Sequence, residues 1–245
     1  MSESNRYRHP PGLWVIGIMG MLYCFGFVII NSTLVLYAKS NFHYLNHNAF
    51  LLSASYNSLL FTAPLLGGFL SEKTGYRRSL MMGTLLSVMS LALLASGNVT
   101  LFYLALSFFV TATAYFVPSM YVMLGKLYAK EAPKRESAFT LLYIIINIGF
   151  FVGGLLGGYL HIWFNYRVEF LIAMTTTLVI FPTYFSLKHL IKPIKGRITE
   201  SQLNVDPVFN WLILLLSALF LVSCGYLILK YPTQYDIFLI SLVVI

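Results

Sequence analysis

The sequence predicts an all-α protein that crosses a membrane several times. Composition, long uncharged stretches and the placement of basic residues carry that prediction. Of 245 residues, 58% are hydrophobic and only 10% charged, whereas an ordinary soluble domain carries about 25% charged residues. Lipid tolerates apolar faces that water would not. The net charge of +8 does not point to nucleic acid, because its distribution follows membrane topology. Cys24 and Cys224 both fall inside apolar stretches, which argues against a disulfide framework.

Uncharged runs occupy Leu13–Tyr37, Ala49–Leu70, Ser79–Leu124, Ser137–Tyr166, Phe170–Leu187 and Val208–Leu229. The third is too long for one span, and Gly97-Asn98-Val99-Thr100 divides it into two helices. Seven spans result, each of about 18–25 residues, enough to cross a hydrocarbon core of ~30 Å. Ile237–Ile245 begins an eighth.

Basic residues gather on the cytoplasmic side of membrane proteins. With a cytoplasmic N-terminus, only Lys39, Arg167 and Lys230 of the 16 basic residues fall outside. The expected organisation is a cytoplasmic segment at 1–12, a six-helix bundle at 13–187, a cytoplasmic linker at 188–207 and a membrane hairpin at 208–245. The sequence stops inside an apolar run, and the expectation is an interrupted version of something longer.

An internal repeat lies at an offset of 90 residues. Ala63-Pro64-Leu65-Leu66-Gly67-Gly68-Phe69-Leu70 overlies Gly153-Gly154-Leu155-Leu156-Gly157-Gly158-Tyr159-Leu160, and the register pairs Asn57 with Asn147, Tyr76 with Tyr166 and Arg77 with Arg167. The second span runs inward and the fifth outward, so the repeat is inverted, as in bundles of 3+3 helices. Chance likeness between glycine-rich spans is the competing account. Gly153/Gly157 and Gly154/Gly158 are small-xxx-small pairs that let helices approach closely. They serve either as packing or as a smooth face on which the fifth span slides.

The turn Gly68-Phe69-Leu70-Ser71-Glu72-Lys73-Thr74-Gly75-Tyr76-Arg77-Arg78 joins two spans and resembles the signature loop of the major facilitator superfamily. Gly68 then allows tight helix packing, Gly75 the sharp turn, and Glu72, Arg77 and Arg78 an ion-pair latch. Simple cytoplasmic anchoring is the alternative for the arginines. Pro118-Ser119, Leu124-Gly125-Lys126-Leu127-Tyr128 and Lys134–Gly149, with Phe139-Thr140-Leu141-Leu142-Tyr143 and Asn147-Ile148-Gly149, resemble the helix 4–5 region of the proton-dependent oligopeptide transporters. Phe25-Gly26 and Leu34-Val35-Leu36-Tyr37 are similar to that family's first helix. The resemblance implies a major-facilitator-type six-helix bundle, with the C-terminal half absent. The appended hairpin is similar to one that bacterial members insert between their halves, which implies a bacterial inner-membrane location.

The departures are as informative. The family's first helix carries E-x-x-E-R-F, and alignment on Phe25 puts Gly20 and Tyr23 at the glutamates and Cys24 at the arginine. A further family arginine falls on Asn31, and the K-P-N of helix 4 becomes Val117-Pro118-Ser119. A proton-coupled carrier needs a titratable group that alternates between states, and no run carries one at mid-depth. Glu169 reads as interfacial, beside Arg167, and His161 as an interfacial side chain near that same end. Candidate solute contacts are therefore the uncharged Asn31, Tyr143 and Asn147, each alternatively an interhelical hydrogen bond, as is favoured for Asn57.

No serine–histidine–acid, metal-ligand or paired-carboxylate constellation points to an enzyme, and no cofactor or metal is expected. The expected partners are the bilayer, a small solute with a peptide as candidate, and a second six-helix half. Two functions compete: a divergent peptide-transporter-like carrier, or a non-transporting membrane remnant or scaffold.

Overall fold

In hydrocarbon every backbone N–H and C=O must find its partner within the protein, and a helix satisfies both within one segment. The computed structural model describes residues 9–128, 132–191 and 207–231, without the side chains of 132, 133, 161 and 207. Its helices are α1 (Pro11–Phe42), α2 (Asn46–Thr74), α3 (Tyr76–Ala95), α4 (Val99–Leu127), α5 (Ala132–Trp163), α6 (Tyr166–Leu178), α7 (Ile180–Leu187) and α8 (Pro207–Lys230). A 3₁₀ turn, Lys188–Ile191, extends α7 into one span with α6. Seven spans long and apolar enough to cross a membrane are present among the described residues. The second arm expected at 237–245 and most of the linker lie outside the described residues.

Local chemistry sets the interruptions. Gly97 takes a φ of 73° and Asn98 caps α4 by accepting from the Thr100 N–H at 2.8 Å, which places the division of the long run at Ser96–Asn98. The break at Val179 lies upstream of Pro182, which has no N–H for the Leu178 carbonyl and whose ring presses on that carbonyl.

The repeat register coincides with the helix boundaries, since α3 starts at Tyr76 and α6 at Tyr166. Gly149 sits against Met21, Gly153 against Phe25 and Val28, and Gly157 against Ile29 and Ser32. Both numbers rise together, so α1 and α5 run parallel. The short turn after α1 reverses α2, which makes α2 and α5 antiparallel and the repeat inverted.

Helices α1, α3 and α4 carry most of the buried residues, while α2, α5 and α8 leave most of their surface uncovered. Backbone contact is closest where glycine permits it. A Cβ on Gly67 of α2 would fall onto the Ala114 carbonyl of α4, and one on Gly83 of α3 would stand 2.8 Å from the Ala112 carbonyl. Pro118 has no N–H for that Ala114 carbonyl, so the carbonyl that Gly67 presses on lacks its usual intrahelical donor. The tight approach thus belongs to Gly67; Gly68 makes only ordinary contact with Pro118, 3.5 Å from a Cβ.

Hydrogen bonds tie the far end, opposite the N-terminus. Tyr37 Oη donates to the Leu94 carbonyl at 2.8 Å and Arg167 Nε to the Ala95 carbonyl at 3.0 Å. These are terminal carbonyls of α3, beyond the reach of the regular helical ladder; Leu94 also accepts from the Gly97 N–H at 3.3 Å, and a cation at Ala95 suits the helix dipole. Arg167 therefore has a structural task away from the main basic end. Helix α8 docks on α4 and α2 and touches α3, with Leu214 and Ala218 in one cluster with Met82 and Leu86 of α3 and Ala112 of α4. A Tyr115–Ser217 hydroxyl bond of 2.7 Å fixes its register.

Gly67→Ala is expected to destabilise the bundle by about 1–3 kcal/mol through overpacking. Gly154→Ala, where a Cβ meets nothing within 4 Å, should be neutral or stabilising by up to about 1 kcal/mol. Thermal melts in detergent distinguish these opposite signs.

Candidate functional site

The positions that the oligopeptide-transporter resemblance assigns to charged groups are packed. Tyr23 is 2% exposed; its hydroxyl is 2.8 Å from Thr113 Oγ1 and its ring stacks on Phe116 at 4.0 Å and on Phe109 at 5.7 Å. A Cβ at Gly20 would stand 2.7 Å from Met120 Sδ and 3.0 Å from Ile146 Cγ2. Cys24 is a buried free thiol. The α1–α4 seam is thus a packed aromatic and thioether layer in which a glutamate pair would be buried without a cation.

The three proposed solute contacts divide. Tyr143 and Asn147 lie one turn apart on α5 and are exposed, with Asn147 Nδ2 donating to the Tyr143 carbonyl at 2.7 Å. Asn31 is half-buried on α1 and donates to the Phe27 carbonyl at 3.0 Å. The α1–α5 register sets Asn147 level with Met19, so Asn31 stands twelve residues, or about 18 Å, further along. The structure does not bring Asn31 to the pair. Asn57 Nδ2 likewise donates within its own helix, to the Ser53 carbonyl at 2.9 Å.

At the basic end, Gly75 adopts a φ of 100° between α2 and α3, a conformation that glycine supplies without steric cost. Thr74 and Ser79 hydroxyls meet at 3.2 Å across the turn, and Arg78 Nη1 donates to the Thr74 carbonyl at 3.4 Å. Glu72 and Arg77 are exposed. The turn is joined to the end of α4 by Lys126 Nζ, 4.4 Å from the Tyr76 ring centroid. His9 bridges the same region, with Nδ1 2.8 Å from Tyr128 Oη and Nε2 3.4 Å from Ser137 Oγ. The sequence does not pair Lys126 with Tyr76 or His9 with Tyr128; a long cation near an aromatic is only a contact once two loops are superposed.

The α5 glycines face two ways. Gly153 and Gly157, with Gly149, meet α1, whereas Gly154 and Gly158 meet nothing within 4 Å. These last two fall on the stripe of Tyr143, Asn147 and Phe151, at spacings of three or four residues.

Glu169 requires a correction. The expectation is an interfacial position, yet the residue is 0% exposed, and neither carboxyl oxygen has a hydrogen-bond partner among the described residues. Arg167 is committed to the Ala95 carbonyl instead. The reason is helical rotation: two residues apart on α6, Arg167 faces α3 and Glu169 faces α1 and α5.

The model of the Major Facilitator Superfamily matches residues 16–244. The chain belongs to that superfamily. Among curated relatives, a dipeptide and tripeptide permease A of Cronobacter turicensis is 25% identical, over 82% of this chain and 41% of its own length. The permease of the same name from Chromobacterium violaceum is 23% identical, over 94% of this chain and 46% of that protein. This superfamily member therefore spans less than half the length of these relatives. Its fold is shared with a bacterial homologue of the human drug peptide transporters PepT1 and PepT2, at a TM-score of 0.79 and 20% identity, over 94% of this chain and 52% of that one. Tetrameric PepTSo2 gives a TM-score of 0.80 at 18% identity, over 94% and 51%.

Restoring acids by Gly20→Glu or Tyr23→Glu is expected to cost about 3 kcal/mol or more, since a charge would enter a dry, filled seam. A melting temperature in detergent within error of the parent would show that the seam tolerates a buried carboxylate.

Proposed function

We propose that this chain is the N-terminal six-helix half, with a membrane hairpin appended, of a secondary carrier that moves a small solute by alternating access. A di- or tripeptide is the first candidate, in view of the permeases it resembles. The expected setting is the bacterial inner membrane with the N-terminus in the cytoplasm.

One observation supports this above the others. Asn147 sits at the midpoint of α5 and is exposed, with Tyr143 beside it. A side-chain amide facing lipid at mid-span is unfavourable, whereas one facing an aqueous hollow or a second protein half is not. The uncovered faces of α2 and α5 fit a second six-helix half placed against them.

A second reading has its own support. The filled Gly20–Tyr23 seam removes the groups that couple protons in the family, and a non-transporting membrane scaffold would need none. Uptake of a labelled dipeptide into vesicles holding the chain with its second half tests both. Carrier function predicts uptake, reduced about tenfold, or ~1.4 kcal/mol, when Asn31→Ala, Tyr143→Phe and Asn147→Ala are combined. Uptake unchanged by the triple substitution removes these residues from the mechanism. No uptake of dipeptides or related solutes favours the scaffold.

A further inference from the structure

Helix α3 has neighbours on three sides and an apolar stripe on the fourth. Gly83 faces α4, where a Cβ would stand 2.8 Å from the Ala112 carbonyl, and Leu91 faces α1, 3.5 Å from a Cβ on Gly26. Met82 and Leu86 share a cluster with Leu214 and Ala218 of α8, and α6 packs alongside. Successive helical residues turn by about 100°, so these contacts leave one face of α3 between α6 and α8. Leu85, Met89 and Ala92 occupy it and are exposed. The result is a shallow lipid-facing groove with α3 as its floor.

Cations stand at the basic end of that groove. Arg78 and Arg77 precede Leu85 by seven and eight residues, which places them about 11 Å nearer the basic end. The same 100° rotation puts Arg78 above the stripe and Arg77 on its α6–α7 side. Arg78 is half-buried and donates to the Thr74 carbonyl. Arg77 is exposed, with neither a hydrogen bond nor an ion pair among the described residues. It lies within electrostatic reach of the Tyr184 hydroxyl of α7. Lys188, one turn beyond Tyr184, is also exposed, with Nζ 5.8 Å from the Phe185 ring centroid. The acid of the α2–α3 turn, Glu72, acts instead on Tyr76, whose ring meets Lys126 on the α4 side. The mouth of the groove is therefore positive.

A cation above an apolar stripe at a membrane surface matches one kind of molecule in both parts. A guanidinium fork and an ammonium suit phosphate oxygens, and basic pockets between spans take anionic headgroups. Leu85 and Met89 lie about 12–18 Å below Arg77, the depth of one leaflet in a core of ~30 Å. A zwitterionic lipid brings its own ammonium, which Arg77, Arg78 and Lys188 repel.

We propose that this groove holds one anionic phospholipid, with its phosphate on Arg77 and Lys188 and an acyl chain against Leu85 and Met89. Such a lipid links the α2–α3 turn to the end of α7. The proposal concerns a lipid and stands whether or not a solute is carried.

Native mass spectrometry of the full chain in detergent tests it, with phosphatidylglycerol, phosphatidylcholine and glycerol 3-phosphate titrated separately. One phosphatidylglycerol should bind about tenfold more tightly than phosphatidylcholine, and Arg77→Gln with Lys188→Gln should weaken it about tenfold. Lys73→Gln with Arg135→Gln removes the same charge from exposed positions outside the groove and should change binding by less than about twofold. Equal losses in the two pairs overturn the site in favour of a diffuse basic surface. Phosphatidylcholine held as tightly as phosphatidylglycerol overturns the charge selectivity. Glycerol 3-phosphate bound as tightly as the lipid overturns the role of the groove.

Discussion

Helices in lipid gain nothing from hiding apolar surface against one another, because hydrocarbon is as apolar as leucine. Association must then come from close backbone approach and a few polar ties. That constraint fixes this bundle. Gly149, Gly153 and Gly157 bring α5 onto α1, and Gly67 brings α2 onto α4. Under the 90-residue repeat these are equivalent pairings, with Gly67 in register with Gly157. The depth of Tyr143, the facing of Glu169 and the separation of Asn31 from Asn147 all follow from the α1–α5 glycine contact.

The seam between α1 and α4 shows how a charged centre can be replaced without leaving a void. Tyr23 takes volume and finds Thr113 for its hydroxyl, while Gly20 yields its space to Met120 and Ile146. The exchange keeps interior density near that of other proteins and removes the desolvation burden of buried ions. Among the described residues, polarity in this half lies instead along α5 and at the buried Glu169.

Spans, turns and repeat were legible in the sequence because each rests on local chemistry. Uncharged length, Gly97-Asn98 and Gly75 dictate helices and their ends without any knowledge of neighbours. Facing was not legible. Gly67 and Gly68 are adjacent, yet a rotation of about 100° between successive helical residues puts one on a carbonyl and the other in ordinary contact. Glu169 followed the same geometry, since a charge near a helix start looks solvated until α1 and α5 are laid over it. Asn31 and Asn147 seemed partners because both match family positions, but their axial distance depends on a register that only the glycine contacts reveal. Pro182 was visible; that its effect surfaces at Val179 follows from the four-residue reach of the helical hydrogen bond.

Helix α8 makes the two mirrored pairs unequal. It lies along α2 and α4, held by the Tyr115–Ser217 bond and by ordinary contact between Gly225 and Ser107, and no second added helix is described along α1 and α5. Among the described residues, one wing of the bundle is therefore splinted by an added helix and the other is not. Strain introduced by a change of state is relieved more readily on the wing without that support, so a fold built on near-symmetry carries a preferred side on which to yield.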